Sequence, residues 1–524
     1  MLRAWLAFMV ATTLLLFGSA SGTSAPSSTQ TLRVMSFNIF YGGDELNLQT
    51  GQFCADPAGC PETLEQVVAA IRASHADVVG LQEPTMNTRT IAERLGWSYS
   101  ERTSVISRYP VIDPPGANGL YVYVEPSPGK IVAIGNTHLP AEPYGPYEIR
   151  DGATLAEVLQ LEKDVRLPAI QPELRELPKL AGRGIPVFLT ADFNSPSHLD
   201  WTQAVADARA DVPYPVVWPV AKALADAGFE DSFRTVYPNP VARPGFTWTP
   251  GSPEGEKVEV HDRIDWVLSA GPATATASSV VGEGGNPNTD IAVDPWPSDH
   301  RGVVSTFEVT PAPMPLLVAV QSRSLQQGKP LAVRFHARGQ TGERVVIVRA
   351  GGSVGSAVAS MSTGGAVDGT LDFATGSLAP RAYEALLVSQ SGSAIARSPF
   401  WLYEPGSVAT VSTSKSRYTV GEPIRVSWTQ APGMKWDWLG VYTAGSGADN
   451  PNNSTCSAGT CGNGHYLLYE YTQASIEGST TFGPASLVGY KTWPLGPGTY
   501  EIRLLLDDGY RSVTSSPRFK IVQP

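Results

Sequence analysis

Six times before residue 310, a short apolar run leads into an amide, a carboxylate or an imidazole, and this feature narrows the fold most. Leu32 to Asn38 alternates apolar and polar residues and ends on Asn38 in Ser-Phe-Asn-Ile. That alternation is the period of a half-buried strand. Ala76 to Leu81 reads as a buried strand and runs into Gln82 and Glu83. Ile131 to Leu139 carries His138 in Gly-Asn-Thr-His-Leu, and Val187 to Ala191 runs into Asp192-Phe-Asn194. Asp265 lies in Asp-Arg-Ile-Asp-Trp-Val-Leu, and Asp299 and His300 stand in Trp-Pro-Ser-Asp-His-Arg-Gly-Val. A lone polar residue at a strand end is usually a turn or cap residue. Six in order can converge on one rim of a sheet, and carboxylates, amides and imidazoles on rigid strand ends suit a hard cation and a phosphate.

Between these strands the pattern turns helical. Thr63 to Ala73 has helical spacing, and Ala156 to Leu180 reads as helix broken at Pro168, Pro172 and Pro178. Ile264 to Ser269 and Gly302 to Val309 close the pattern as strands. Strands alternating with helices predict a mixed α/β sandwich over residues 26–309. Residues 310–315, Thr-Pro-Ala-Pro-Met-Pro, read as an extended Pro-rich tether.

Beyond the tether the sequence repeats itself. Gly328-Lys-Pro-Leu-Ala-Val-Arg-Phe matches Gly421-Glu-Pro-Ile-Arg-Val-Ser-Trp, and Leu378-Ala-Pro-Arg-Ala-Tyr-Glu matches Leu495-Gly-Pro-Gly-Thr-Tyr-Glu. Val346 to Gly351 and Ser398-Pro399 also find partners, in Gly440 to Gly445 and Ser516-Pro517. The second copy carries an insertion with Cys456, Cys461 and the run Tyr466-Leu-Leu-Tyr-Glu-Tyr471. Two turn-punctuated β units, 316–404 and 405–524, are therefore expected, each an immunoglobulin-like sandwich. With 51 glycines and 44 prolines, short strands and turns suit the chain better than long helices.

Arg3, the apolar stretch Ala4 to Phe17 and the small residues that follow predict an export signal over 1–25, too short for a comfortable membrane span. A secreted, periplasmic or extracellular location follows, in which Cys54/Cys60 and Cys456/Cys461 are candidate local disulfides. No later apolar run is long enough to span a bilayer. The formal charge of −11 gives no long-range field to gather nucleic acid, which weighs against a nuclease without a local basic groove.

The ordered set, above all Asp192-Phe-Asn194 with Ser298-Asp-His300, resembles the endonuclease/exonuclease/phosphatase family, which includes deoxyribonuclease I, neutral sphingomyelinases and inositol polyphosphate 5-phosphatases. The resemblance covers about residues 32–309 and implies a four-layered α/β/β/α sandwich. It implies that Glu83 binds Mg²⁺ or Mn²⁺ with Asn38 and Asp299 at or near the ion, and that His138 and Asn194 donate to the phosphoryl oxygens. Asp192 would orient or deprotonate the attacking water, and His300, held by Asp265, would be the partner base or a phosphate ligand. Taken without the resemblance, Asn38 reads as a strand cap, His138 as a core histidine, and Asp265 as the partner of Arg263.

Within the family, Asp192-Phe-Asn-Ser-Pro departs from the Gly-Asp-Leu-Asn-Tyr form of the 5-phosphatases, and His138 departs from the abasic-site repair branch. The resemblance implies a phosphoric ester hydrolase acting on a diester or monoester. A nuclease acting on extracellular nucleic acid, a lipid phosphodiesterase of sphingomyelinase type and an inactive phosphoesterase-like binding protein stand as alternatives. Strand alternation expects one of Trp436 and Trp438 inward and one outward. Exposed tail aromatics would offer a carbohydrate or cell-surface contact.

Overall fold

The computed structural model describes residues 29–44, 46–47, 52–53, 60–251, 259–446 and 463–524. The expected export signal and Cys54, Cys456 and Cys461 lie outside the described residues; Cys60 is disulfide-bonded. Among the described residues no helix is long and apolar enough to cross a membrane.

Two sheets stack face to face in the first 310 residues. One runs, in spatial order, Ile291–Ala292, Ala273–Gly282, Gly302–Val309, Gln30–Asn38, Val78–Gln82, Val105–Ser107 and Ser98–Ser100. The other runs Glu230–Asp231, Asp265–Ala270, Val187–Asp192, Lys130–His138, Tyr121–Ser127 and Val111–Ile112. Three apolar clusters make the layers. Leu32, Val34, Val132, Ile134 and Phe188 fill the space between the sheets. Met35, Phe37, Leu64 and Val67 join the first sheet to the Pro61–Ser74 helix, and Leu177, Leu189 and Trp266 join the second to Gln171–Ala181. The result is the expected α/β/β/α order. Val34 to Asn38 is buried throughout, because this central strand is covered by a sheet on one side and a helix on the other.

The inner face of each strand changes character along its length. In Gln30–Asn38 the inward positions read Leu32, Val34, Ser36, Asn38; in Lys130–His138 they read Val132, Ile134, Asn136, His138; in Val187–Asp192 they read Phe188, Thr190, Asp192. The core is apolar at one end and polar at the other. Partway along, Asn136 Oδ1 accepts from Gln82 Nε2 at 2.7 Å and Thr190 Oγ at 3.0 Å, and its Nδ2 donates to the Leu81 carbonyl at 2.8 Å. These bonds tie the two sheets together just below the rim. Gly80 lies at the same level, and a Cβ there would fall 1.9 Å from Thr190 Oγ and 2.6 Å from Asn136 Oδ1.

Segment 310–315 is extended, as expected, but it is not a free tether. Ala312–Pro313 pairs with Lys130–Ile131 of the second sheet, and Ala312 and Met314 are buried. The prolines leave the apolar residues between them facing one side, where burial fixes the segment.

Each copy of the repeat forms a three-stranded sheet facing a larger one. Leu317–Val320, Leu331–His336 and Asp368–Phe373 face the sheet built on Arg344–Arg349, Arg381–Val388 and Ala394–Tyr403. Thr410–Thr413, Ile424–Thr429 and Gly478–Phe482 face the sheet built on Trp438–Thr443, Gly498–Leu505 and Phe519–Val522 in the same strand order. Both modules pack on the α/β unit. Arg323 donates to the Pro114 carbonyl at 3.2 Å, and Arg334 pairs with Glu125. From the third unit, Lys435 pairs with Glu173 at 2.6 Å and its amide bonds the Arg102 carbonyl at 2.9 Å. Trp436 and Trp438 are both buried, against the expectation that one faces outward. The strand begins only at Trp438, so the two do not share its alternation. Trp438 packs edge-on against Tyr466, Tyr469 and Tyr510.

Candidate active site

Register builds the site. Asp192 stands opposite His138 on its parallel neighbour and opposite Asp265 on its antiparallel neighbour. Side chains of paired residues leave a sheet on the same face, so these three rise side by side from the second sheet. In the first sheet Asn38 pairs with Gln82, Glu83 follows directly, and Asp299 and His300 enter the antiparallel Gly302–Val309 strand at the same rim.

One carboxylate oxygen lies at the centre. Asp192 Oδ2 accepts from Asn38 Nδ2 at 3.0 Å and stands 3.5 Å from His138 Nε2 and 3.6 Å from His300 Nε2. The other oxygen of Asp192 accepts the Asn194 amide at 2.9 Å, so the loop after the strand fixes the carboxylate plane. Asn194 Nδ2 reaches His138 Nε2 at 3.1 Å and the Leu139 carbonyl at 3.0 Å. Asn38 Nδ2 also bonds Glu83 at 3.1 Å while its Oδ1 takes the Phe40 amide, and the Tyr41 amide bonds the second Glu83 oxygen at 3.0 Å. Glu83 and Asn194 both have left-handed backbones, φ 54° and 47°. Such conformations are costly for residues with a Cβ and are held in place by the hydrogen bonds around them.

His300 is held on every side. Its Nδ1 meets Asp265 Oδ2 at 3.0 Å, its amide donates to Ser298 Oγ, and its ring packs 4.9 Å from that of Trp248. Burial works against its charge, but Asp265 and then Asp192 outweigh it and hold the imidazole well above its ordinary pKa. His138 follows the same logic: burial opposes charge, and Asp508, Asp192 and Glu83 push it up to about 10. Burial, with Glu83 and Asp192 close by, pushes Asp299 up to about 7 despite the opposing pull of His300. The rim thus sets two buried imidazoles among the acidic side chains of Glu83, Asp192, Asp265, Asp299 and Asp508.

Residues 35–300 match the endonuclease/exonuclease/phosphatase family. An uncharacterized Caenorhabditis elegans protein is 30% identical over 284 residues, which span 48% of this chain and 83% of that protein. The chain belongs to the endonuclease/exonuclease/phosphatase family. Among solved structures, an endonuclease/exonuclease/phosphatase from Beutenbergia cavernae is 20% identical with a TM-score of 0.33, covering 71% of this chain and 100% of its own. The mannosyl-6-phosphatase of Bacteroides thetaiotaomicron is 15% identical with a TM-score of 0.31, covering 53% of this chain and 99% of its own. Members of the endonuclease/exonuclease/phosphatase family are hydrolytic phosphoesterases and typically depend on a divalent metal.

All eight residues singled out in the sequence, Asn38, Glu83, His138, Asp192, Asn194, Asp265, Asp299 and His300, meet at the rim of this family domain. Asp265 pairs with His300 and not with Arg263, whose guanidinium is taken by Asp231 at 2.6 Å and Asp200 at 2.8 Å. Arg108 bonds the Ala76 carbonyl and lies over Trp97, away from the site. A cation fits the donor set: oxygen ligands dominate, and a buried oxygen of Asp299 and one of Asp265 have no hydrogen-bond partner. Asp192, Asp265 and His300 offer ligand atoms within 4.8 Å of one another. Four contributors escaped sequence reading: Thr247, whose hydroxyl accepts the Ile264 and Asp265 amides; Ser298; Trp248; and Asp508. Ser298 alone had a signal, its place in the Ser-Asp-His triplet.

Proposed function

We propose that this chain is a secreted, divalent-metal-dependent phosphoesterase that hydrolyses a phosphodiester or phosphomonoester by attack of water on phosphorus. The observation that carries this reading is the single Asp192 oxygen faced by Asn38, His138 and His300. Such a carboxylate can take a proton from water while cationic donors beside it take up the charge of the phosphoryl oxygens.

Glu83 and Asp299, with Asn38 beside them, would hold Mg²⁺ or Mn²⁺, which when bound neutralises charge on the phosphoryl and leaving oxygens. This pair is favoured over the Asp192–Asp265–His300 group because His300 Nδ1 is already engaged by Asp265 and its Nε2 faces Asp192. Asp192 orients and deprotonates the water. His300 donates its Nε2 proton to a phosphoryl oxygen while Asp265 holds its Nδ1. His138 and Asn194 donate from the opposite side.

We take 26–309 as the catalytic unit, 1–25 as the export signal, and 316–404 and 405–524 as immunoglobulin-like modules. The last reading is supported by a matching corner in each copy: Tyr383 OH bonds the Ala379 carbonyl and Tyr500 OH the Gly496 carbonyl, both at 2.8 Å.

The test is a substrate panel of a chromogenic bis-aryl phosphate, nucleic acids, sphingomyelin and sugar phosphates, each with and without a chelator. Chelator-sensitive release of an alcohol or phosphate from one of them is expected. No hydrolysis across the panel with Mg²⁺ or Mn²⁺ would leave the inactive, binding-protein reading standing.

A further inference from the structure

The two imidazoles that face Asp192 are built alike. Each presents Nε2 to the same carboxylate oxygen, and each has its Nδ1 against an aspartate. For His300 that aspartate is Asp265, from the catalytic sheet. For His138 it is Asp508, at 2.5 Å, from the turn that follows Gly498–Leu505 in the last β module. Among the described residues no other group is recorded on His138 Nδ1.

That turn is not in chance contact. Asp507 accepts the Met86 amide at 2.8 Å and the Ser104 hydroxyl at 3.3 Å, both from the catalytic unit. Gly509 lies so close to Thr85 that a Cβ would fall 2.5 Å from its methyl group. Within the module the Asp508 amide donates to the Trp436 carbonyl at 3.0 Å, and the Tyr471 hydroxyl reaches Asp508 Oδ1 at 3.4 Å. Asp507 and Asp508 both hold left-handed backbones, φ 51° and 61°. Two consecutive residues with side chains pay to adopt that shape, and contacts on both sides of the interface hold it.

We propose that Asp508 is a positioning residue for the phosphoesterase site: it accepts the Nδ1 proton of His138 and so aims Nε2 at the space beside Asp192 where a phosphoryl group reacts. The inference rests on the functional reading above. A carboxylate can only accept, so Asp508 fixes the Nδ1–H whether the ring is neutral or charged. The β module is thereby part of the active site and not an appendage to it. Tyr510, next to this turn, packs at a tilt against Tyr41 of the catalytic rim with ring centres 5.8 Å apart, so the module also walls the site on this side.

The test uses the full chain and three variants, Asp508→Asn, Asp508→Ser and Asp508→Ala, with kcat and KM measured on a bis-aryl phosphate in Mg²⁺. Ring-nitrogen NMR of ¹⁵N-histidine-labelled protein follows the His138 Nδ1–H directly. Asp508→Ala should lower kcat by about 10- to 100-fold with KM nearly unchanged. Asp508→Asn, which keeps an acceptor oxygen, should recover most of that loss. The His138 Nδ1–H signal should persist in Asp508→Asn and vanish in Asp508→Ala; Asp508→Ser replaces the alanine variant should the latter not fold. Unchanged kcat in Asp508→Ala, or a rise showing that the module plugs the site, would overturn the proposal. So would a His138 signal indifferent to Asp508. A wild-type protein without metal-dependent hydrolysis would instead fail the functional reading, and the NMR arm would still decide whether Asp508 holds His138.

Discussion

Replacing Asp265 by Asn keeps the shape of the His300 partner and removes its charge. Asp265 is fully buried and its Oδ2 meets His300 Nδ1 at 3.0 Å, a hydrogen bond between two ionisable groups shielded from water. Bonds of this charged kind contribute about 1.5–3 kcal/mol. At about 1.4 kcal/mol per decade, Asp265→Asn should slow turnover roughly 10- to 100-fold. His300→Ala removes the ring that donates to the phosphoryl oxygen and should cost about 10²- to 10⁴-fold. Because Asp265 acts through His300, the double variant should lie within a few-fold of His300→Ala. Initial rates on a bis-aryl phosphate, with thermal melts to verify folding, complete the cycle. Losses that multiply, leaving the double variant a further 10- to 100-fold slower, would refute the pairing.

Glu83→Gln should fold normally and lose most activity, with part restored by excess Mg²⁺ or Mn²⁺; full activity at ordinary metal levels would remove Glu83 from the metal site. Gly80→Ala should destabilise by about 1–3 kcal/mol or more in chemical denaturation, because its Cβ would meet Thr190 Oγ at 1.9 Å with the polar tie packed around it. Burial, with Asp437 and Asp508 adding to it, pushes the Asp507 carboxyl up from 3.8 to about 8, against the bonds from Met86 and Ser104. A folded-state pKa raised in this way contributes stability that is complete below about pH 4 and is lost as pH rises through about 8. Melting temperatures should therefore fall across that window, and Asp507→Asn should flatten the fall.

The rim was legible in the sequence because strand geometry is simple. A period of two, with Leu32 and Val34 giving way to Ser36 and Asn38, marks which end of the sandwich is polar, and the same drift recurs in Val132 to His138 and Phe188 to Asp192. The pairing of Asp265 with His300 was available only through family resemblance, since spacing alone equally suited Arg263. Asp508 was out of reach. It lies 370 residues from His138, and no local pattern says which face of a β module will dock or on what. Segment 310–315 packs where its prolines suggested a tether, because Ala312 and Met314 between them are apolar and buried. Strand alternation did not apply to Trp436 and Trp438 because the strand begins only at Trp438, which is buried by an aromatic cluster to which the insertion contributes Tyr466 and Tyr469.

The most direct test of the account follows the oxygen of water. Full-chain protein stripped of metal is given a bis-aryl phosphate in ¹⁸O-labelled water, with and without added Mg²⁺, beside an Asp192→Asn variant. The expected product is an aryl phosphate carrying one ¹⁸O, formed at a useful rate only with metal and with Asp192 intact. Label in the released phenol, turnover in the absence of metal, or wild-type rates from Asp192→Asn would contradict metal-assisted attack of water on phosphorus at this rim.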